Sequence, residues 1–272
     1  MSKEVADMFS SIAHRYDVAN DVLSLGIHHL WRKKAVKFAG VCQGASVLDV
    51  CTGTGDLAFT LSDCVGPSGQ VFGVDFVPEM IELAKQKQDS LEISEKSLAR
   101  KKVVFKTADA LELPFEDSSF DFITVAFGIR NVDCPEKCLK EFARVLKPKG
   151  KVLVLEFGKP RFPIFSFIYK TYSKYIMPLI GQMLTGNRAA YEYLPRTAKE
   201  FPDRENFISL MNSSGYSNSS YLSFMSGVAY AYVGQLSQDR MIRKEVEKIQ
   251  SAEMSIQHST FSESLKHSSA YD

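Results

Sequence analysis

No run of about 18 apolar residues occurs anywhere in the 272 residues of this chain, so nothing in it reads as a membrane-spanning helix. Charge of one sign is also missing. Lys and Arg number 33 against 32 Asp and Glu, a formal net charge of +1, which removes any global electrostatic case for nucleic-acid binding. Cysteine is sparse: Cys42, Cys51, Cys64, Cys134 and Cys138 include no C-x2-C pair, and the five histidines form no H-E-x-x-H. That argues against zinc or another bound metal and for a reduced, intracellular protein. The amino terminus, Met-Ser-Lys-Glu-Val-Ala-Asp, is too charged for a signal peptide. There is no internal repeat. The expectation is a cytoplasmic protein that can still touch the inner face of a membrane.

What is present is ordinary globular composition, 45% hydrophobic and 24% charged, with enough chain for one large domain. The most informative stretch is Val47-Leu48-Asp49-Val50-Cys51-Thr52-Gly53-Thr54-Gly55-Asp56. A strand-like run enters a turn with two glycines, and Asp75 follows twenty residues after Gly55. Glycines let backbone approach a ligand, and an acid near the next strand end can accept hydrogen bonds from ribose hydroxyls. The layout suits a nucleoside cofactor.

Around this turn the chain alternates. Strands are predicted over Ser46–Cys51, Gln70–Asp75, Val103–Thr107, Phe120–Phe127 and Lys151–Glu156, with helices over Asp56–Cys64, Pro78–Ser90 and Pro135–Leu146. Such alternation predicts an α/β fold, a mostly parallel sheet with helices on both faces. Residues 1–40 read as helical, broken at Gly26, with Met8, Ile12 and Tyr16 on one face. Residues 160–200 carry aromatics and helix formers, including Lys170 and Lys174 among six aromatics between Phe162 and Tyr175. A helix over Phe207–Asn212 precedes two apolar runs, Tyr221–Met225 and Val228–Val233, that suit a hairpin closing the sheet edge. Residues 236–272 form a polar tail, with a helix predicted around Asp239–Gln250. The chain thus divides into one domain over 1–235, with an N-terminal helical cap (1–40) and a helical lid (160–200), and the tail.

Two nucleoside cofactors fit the glycine turn. Gly53-x-Gly55-x-x-Ala58 with Asp75 matches a dinucleotide fingerprint, so a nicotinamide-dependent oxidoreductase is one reading. S-adenosylmethionine is favoured by two details. Asp49 sits late in the first strand, where an acid can reach a ligand's ammonium or order the turn. Asp109-Ala110 follows a later strand, where the carboxylate can accept from an adenine amine and the neighbouring N–H can meet a ring nitrogen. Taken singly, Asp75 and Asp109 are equally well explained as turn or helix-capping residues.

Three blocks go further: Tyr16-Asp17-Val18-Ala19-Asn20-Asp21 through Leu25-Gly26-Ile27-His28-His29-Leu30-Trp31; Asp49 through Asp56; and Leu113-Pro114-Phe115, Phe127-Gly128-Ile129-Arg130-Asn131-Val132 and Leu155-Glu156-Phe157. In these the chain resembles the ubiquinone/menaquinone biosynthesis C-methyltransferases, within the class I S-adenosylmethionine-dependent methyltransferases, over roughly residues 5–235. The resemblance implies a Rossmann-like fold with a seven-stranded sheet. It also implies methyl transfer from S-adenosylmethionine to a ring carbon of a polyprenylated quinol, as demethylmenaquinol to menaquinol or the equivalent ubiquinone step. Thr54, Asp75, Asp109 and Ala110 would line the cofactor, with Asp49, Gly53, Gly55 and Ala126 beside them. Asp109 stands where relatives often have Asn, Ala126 where some have Ser, and His29 where an Arg is common.

Methylating a quinol carbon needs a group that stabilises the phenolate. Arg130 is the first candidate, since it follows the fourth strand at the ligand end of the sheet and stays protonated. Asn131 can hold the ring oxygen or a water, and Tyr16 completes the network from the cap. The bland alternative pairs Arg130 with an acid such as Asp133. His14, His28 and His29 are rival bases. Asp17, Asn20 and Asp21 read as ties holding the cap over the site. The aromatic and lysine-bearing lid suits a prenyl tail and transient contact with a membrane surface, and a homodimer is compatible with everything above.

Overall fold

The computed structural model describes residues 1–93 and 102–237. The predicted helix around Asp239–Gln250 lies outside the described residues, as does all of the tail beyond Ser237. Strands β1 (Ser46–Val50), β2 (Gln70–Asp75), β3 (Val104–Thr107), β4 (Phe120–Ala126), β5 (Leu146–Phe157), β6 (Tyr216–Phe224) and β7 (Ala229–Leu236) form one sheet in the order β3-β2-β1-β4-β5-β7-β6. The pairs among β1 to β5 are parallel, and β7 runs antiparallel to both β5 and β6. The apolar runs explain the parallel part: Val47, Leu48 and Val50 of β1, like Val152 through Leu155 of β5, are covered on both faces.

Helices α4 (Asp56–Val65), α5 (Pro78–Ile93) and α6 (Pro135–Val145) make the crossovers, and α10 (Glu205–Ser213) leads into β6. Two hydrophobic layers result. One joins Trp31, Ala35 and Ala39 of α3 (Ile27–Ala39) to α4 and its sheet face. The other joins Leu139, Phe142 and Ala143 of α6 and Phe207 and Met211 of α10 to the opposite face. A third, smaller cluster has another role. Ile12 of α1 (Lys3–Ile12) and Ala19 of α2 (Tyr16–Ser24) pack on Met177 of α8 (Met177–Thr185) and on Ala190 and Tyr191 of α9 (Arg188–Glu200). The amino-terminal helices and the 163–200 helices therefore meet above the sheet. A π-helical turn over Tyr172–Ile176 joins α7 (Pro163–Thr171) to α8.

The predicted elements recur with shifted ends. The Lys147–Gly150 turn does not delay β5, which starts at Leu146 and skips register between Phe120 and Phe122 to loop the turn out. The first closing strand starts earlier than its apolar run, at Tyr216 directly after the Gly215 turn, and the second starts at Ala229, one residue into its run, and extends to Leu236. Backbone pairing with β7 is interrupted by a bulge between Ser217 and Ser220 and resumes at Ser220 on this edge strand. The chain runs outward through β2 and β3 and returns to β4, so β1 and β4 flank the reversal of strand order. Ligands of open α/β sheets bind at that place.

Candidate functional site

Two adjoining cavities open at the carboxyl ends of β1, β2 and β4. The first, a cleft of about 650 Å³, is lined by Val50, Cys51, Gly53, Asp75, Asp109, Ala110, Ala126, Phe127, Gly128 and Asn131, and roofed by Met1, Phe9 and Tyr16. The second, about 910 Å³, lies under the helices and is lined by Tyr16, Asn20, His28, Trp31, Arg32, Phe127, Arg130, Phe157, Tyr169, Tyr172, Tyr191 and Tyr193 among others. Phe9, Tyr16 and Phe127 line both, so the two cavities adjoin at these side chains.

The cleft is shaped by backbone. Gly53 has φ 56°, and a Cβ there would meet nothing within 4 Å. A ligand can therefore lie against bare main chain at that point, and any side chain would occupy its space. Asp75 ends β2 beneath it. The Gly53 N–H donates to Asp75 Oδ2 at 2.8 Å and the Val77 N–H to Oδ1 at 3.0 Å. Two N–H donors orient a carboxylate that has lone pairs left for ribose hydroxyls. Burial pushes its pKa up, against those N–H groups. Asp109 accepts the Leu111 N–H on Oδ1 at 2.9 Å, a turn that aims its other oxygen and Ala110 at the cleft. Five of the eight residues expected to hold the cofactor thus line the cleft: Gly53, Asp75, Asp109, Ala110 and Ala126.

The other three do not, and each for a packing reason. Asp49 is buried beneath the turn, where the Thr52 and Thr124 hydroxyls donate to it at 2.7 and 2.6 Å. Of the two roles open to it, ordering the turn is the one these hydrogen bonds support. Thr54 donates its hydroxyl to Asp17 Oδ1 and so fastens α2 to the glycine turn. Gly55 has φ 88° at the start of α4, and a Cβ would sit 2.9 Å from Phe105 and 3.0 Å from Phe59. Its role is close packing.

Asp49 makes stability depend on pH. Burial lifts its carboxyl to about 7, well above the roughly 3.9 of the unfolded chain. A raised pKa means that the native state holds the extra proton. The stabilisation is complete below the unfolded value and is lost as pH rises through the folded one. Between about pH 5 and 8 this amounts to roughly 2–3 kcal/mol. Asp49→Asn keeps the shape and removes the titration, so the fall in Tm over that range is expected to shrink in thermal melts. An equally steep fall in the variant would clear Asp49 of the effect.

The second cavity holds the two guanidiniums, Arg32 and Arg130. Arg130, in a short 3₁₀ turn after β4, does not pair with Asp133. Its Nη1 donates to Glu156 Oε1 at 2.8 Å and to the Phe127 carbonyl, and its guanidinium lies 5.5 Å from the Phe157 ring. Asp133 instead meets the amino terminus at 3.2 Å. Glu156 is fully buried; desolvation raises its pKa while Arg130 pulls it back down. Asn131 points to the cleft side, accepting the Tyr193 hydroxyl at 3.2 Å. Tyr16 stands between the cavities. Burial raises its pKa and the charge of Arg130 opposes this, which leaves a neutral phenol able to donate.

Of the rival bases, His14 is exposed and distant from both cavities, whereas His28 is buried and lines the second. His29 is half exposed and pairs with Asp21 at 2.8 Å. Asp17 ties the cap down as expected, through Thr54 and through Lys87 at 2.9 Å. Two groups escaped the sequence reading. Glu156 left a signal, an acid closing the apolar run Val152–Leu155. Arg32 left none, because its place beside Phe127 depends on how α3 crosses the sheet.

Comparison with known proteins adds a family. The profile of the ubiE/COQ5 methyltransferase family matches residues 1–235. The chain is 48% identical over 233 residues to the ubiquinone/menaquinone biosynthesis C-methyltransferase UbiE of Bdellovibrio bacteriovorus, covering 85% of this chain and 94% of that protein. It is 39% identical over 237 residues to a demethylmenaquinone methyltransferase of Staphylococcus aureus, covering 87% and 95%. Among solved structures, a SAM-dependent methyltransferase from Thermotoga maritima, a possible histamine N-methyltransferase, superposes with TM-score 0.59 at 20% identity, covering 85% of this chain and 99% of that one. A SAM-dependent methyltransferase from Aquifex aeolicus superposes with TM-score 0.55 at 21% identity, covering 76% and 89%. At such identities the structures speak for the fold alone.

Proposed function

The chain belongs to the ubiE/COQ5 methyltransferase family, and on that premise we propose that it methylates a ring carbon of a polyprenylated quinol, demethylmenaquinol above all, with S-adenosylmethionine as methyl donor. The observation that carries the reading is the pair of cavities sharing Tyr16 and Phe127: a bare-backbone cleft for the donor beside an aromatic, arginine-bearing chamber for a ring. The nicotinamide alternative has no such support, because the family is one of methyltransferases.

Gly53, Asp75, Asp109, Ala110 and Ala126 would hold the donor. When bound, S-adenosylmethionine supplies an electrophilic methyl carried on a sulfonium. The protein's own residues prepare the acceptor. Arg130 cannot take a proton at neutral pH. Its charge lowers the pKa of a ring hydroxyl beside it, so that the hydroxyl gives up its proton to bulk water; the resulting phenolate makes the neighbouring ring carbon nucleophilic, and that carbon's own proton is lost to water after the methyl is added. Tyr16 donates to the ring oxygen from the shared wall, and Asn131, held by Tyr193, keeps the turn after β4 in place. The rings of Phe127, Phe157 and Trp31 displace water and strengthen these electrostatic effects. The helices over residues 163–200 act as the lid, and the cap over α1–α3 closes the other side.

The direct test is chemical. Purified protein, a short-tailed demethylmenaquinol and isotope-labelled S-adenosylmethionine should yield a singly methylated ring product by mass spectrometry. The benzenoid ubiquinone precursor serves as a parallel arm. No labelled product from either acceptor would sink the assignment.

Among the described residues no helix is long and apolar enough to cross a membrane. The acceptor's tail nevertheless resides in one. Phe162, Ile164, Phe167 and Ile168 along α7, and Tyr175, Ile176, Leu179 and Met183 toward α8, are exposed, with the exposed Lys170 and Lys174 between them. This ridge fits transient contact with an anionic membrane surface. Each lysine near such a surface is worth about 1 kcal/mol. Lys170→Gln with Lys174→Gln is therefore expected to weaken co-sedimentation with phosphatidylserine vesicles roughly tenfold or more. Unchanged partitioning would rule out docking by these lysines.

A further inference from the structure

We infer that the acceptor cavity has two guanidinium poles, Arg130 and Arg32, and that Arg32 selects acceptors carrying a second ring oxygen across the ring from the first. The inference rests on the quinol reading and extends it to a residue with no assigned role. Of eight buried side-chain polar atoms without a hydrogen-bond partner among the described residues, three are nitrogens of these two arginines: Arg32 Nε and Nη1, and Arg130 Nε. Both arginines line the same cavity. Buried N–H groups rarely go unpaired, so unpartnered nitrogens on two arginines that line one chamber point to acceptors that a ligand brings.

The bland account of Arg32 is an ion pair tying α3 to α4. Its Nη1 does lie 3.2 Å from Asp56 Oδ2, but outside hydrogen-bonding geometry. Asp56 is already served by Lys87 and His28, which together with Arg32 hold its pKa far below the usual range. The pair therefore anchors the guanidinium without satisfying its N–H groups. The two guanidiniums bear on different rings of the cavity wall. Phe127 and Phe157 stack at 4.4 Å with 29° between their planes; Arg32 lies 5.9 Å from the Phe127 ring and Arg130 5.5 Å from the Phe157 ring. One guanidinium sits against each ring of a stacked pair, so one planar acceptor can present an oxygen to each. A para-dihydroxy ring satisfies both. A monohydroxy ring leaves Arg32 buried and unpaired, and sites built to bond a hydroxyl reject analogues that lack it.

Trp31 is the only tryptophan of the chain and lines this cavity, so its fluorescence reads the chamber directly. The full chain, with S-adenosylhomocysteine present, would be titrated anaerobically with 1,4-dihydroxynaphthalene and with 1-naphthol. The wild type is expected to bind the diol roughly tenfold to a hundredfold tighter. Arg32→Gln should compress that ratio to within about threefold, and Arg32→Lys, which keeps the charge near Asp56 but loses the fork, should fall between. Thermal stabilisation by S-adenosylhomocysteine checks that each variant is folded. No preference in the wild type, or a ratio unmoved in both variants, would overturn the inference. Methyl transfer followed in parallel samples, with S-adenosylmethionine in place of S-adenosylhomocysteine, separates the two readings. A bound diol that is never methylated counts against the methyltransferase assignment alone; methylation without a binding preference counts against the second pole alone.

Discussion

Arg130→Ala is expected to lower methyl transfer roughly a hundredfold to a thousandfold, the usual effect of removing one charge-stabilising group from a water-poor site. It should also destabilise the fold, because Glu156 would lose its Nη1 partner while remaining fully buried. Stranding one member of a buried ion pair costs about 3–5 kcal/mol. The carboxyl can escape part of that by protonating, and burial already pushes its pKa up. The sign follows: the lone Glu156 is tolerated at low pH, and stability drains as pH rises through its raised folded pKa. Adding Glu156→Gln should restore most of the Tm and flatten its pH dependence while methyl transfer stays low. That split decides the role of Arg130. Recovery of activity along with stability in the double variant would make the arginine a structural ion-pair partner and nothing more.

The second large effect belongs to Gly128→Ala. A Cβ there would fall 2.3 Å from Cys51 Cβ and 3.0 Å from its Sγ, in the floor of the donor cleft. Gly128 has φ −111°, so the cost is contact rather than backbone strain. Overpacking of this kind costs about 1–3 kcal/mol, and here the displaced backbone also shapes the cofactor site. A lower Tm and at least tenfold weaker binding of S-adenosylhomocysteine by calorimetry are expected (roughly the same 1–3 kcal/mol). Cys51→Gly should rescue both. It deletes the clashing Cβ, and Cys51 has φ 53°, a conformation in which a non-glycine residue costs about 1–2 kcal/mol. Strictly additive losses in the double variant would mean that the two residues do not touch.

Much of the fold was legible because it depends on periodicity. The apolar runs of β1, β4 and β5 and the crossover helices α4 and α6 appear within a few residues of their predicted ends. The hairpin at the sheet edge was legible too, although its first strand extends through serines that no apolar pattern marks. The site divides along the same line. Gly53 and Asp75 are readable because a glycine turn after a strand and an acid after the next strand line one cleft from adjacent strand ends. Asp49, Thr54 and Gly55 sit in the same short motif, yet they serve Thr124, Asp17 and Phe105, partners 75, 37 and about 50 residues away. Sequence proximity to the turn could not separate the two groups.

By itself the sequence determined a parallel α/β sheet, a nucleoside cleft after its first strand, and, through the Tyr16–Trp31 and Phe127–Val132 blocks, the family of the reaction. These follow from short-range patterns of two, three and four residues and from motifs that need no distant partner. Only the tertiary structure decided what Arg130 and Arg32 pack against. Arg130 turned out to face Glu156 from the end of β5 instead of Asp133 three residues along, and Arg32 was brought from α3 to the ring of Phe127. The partner of a buried charge is set by which elements cross near it, and that crossing depends on the packing of the whole sheet and its helices.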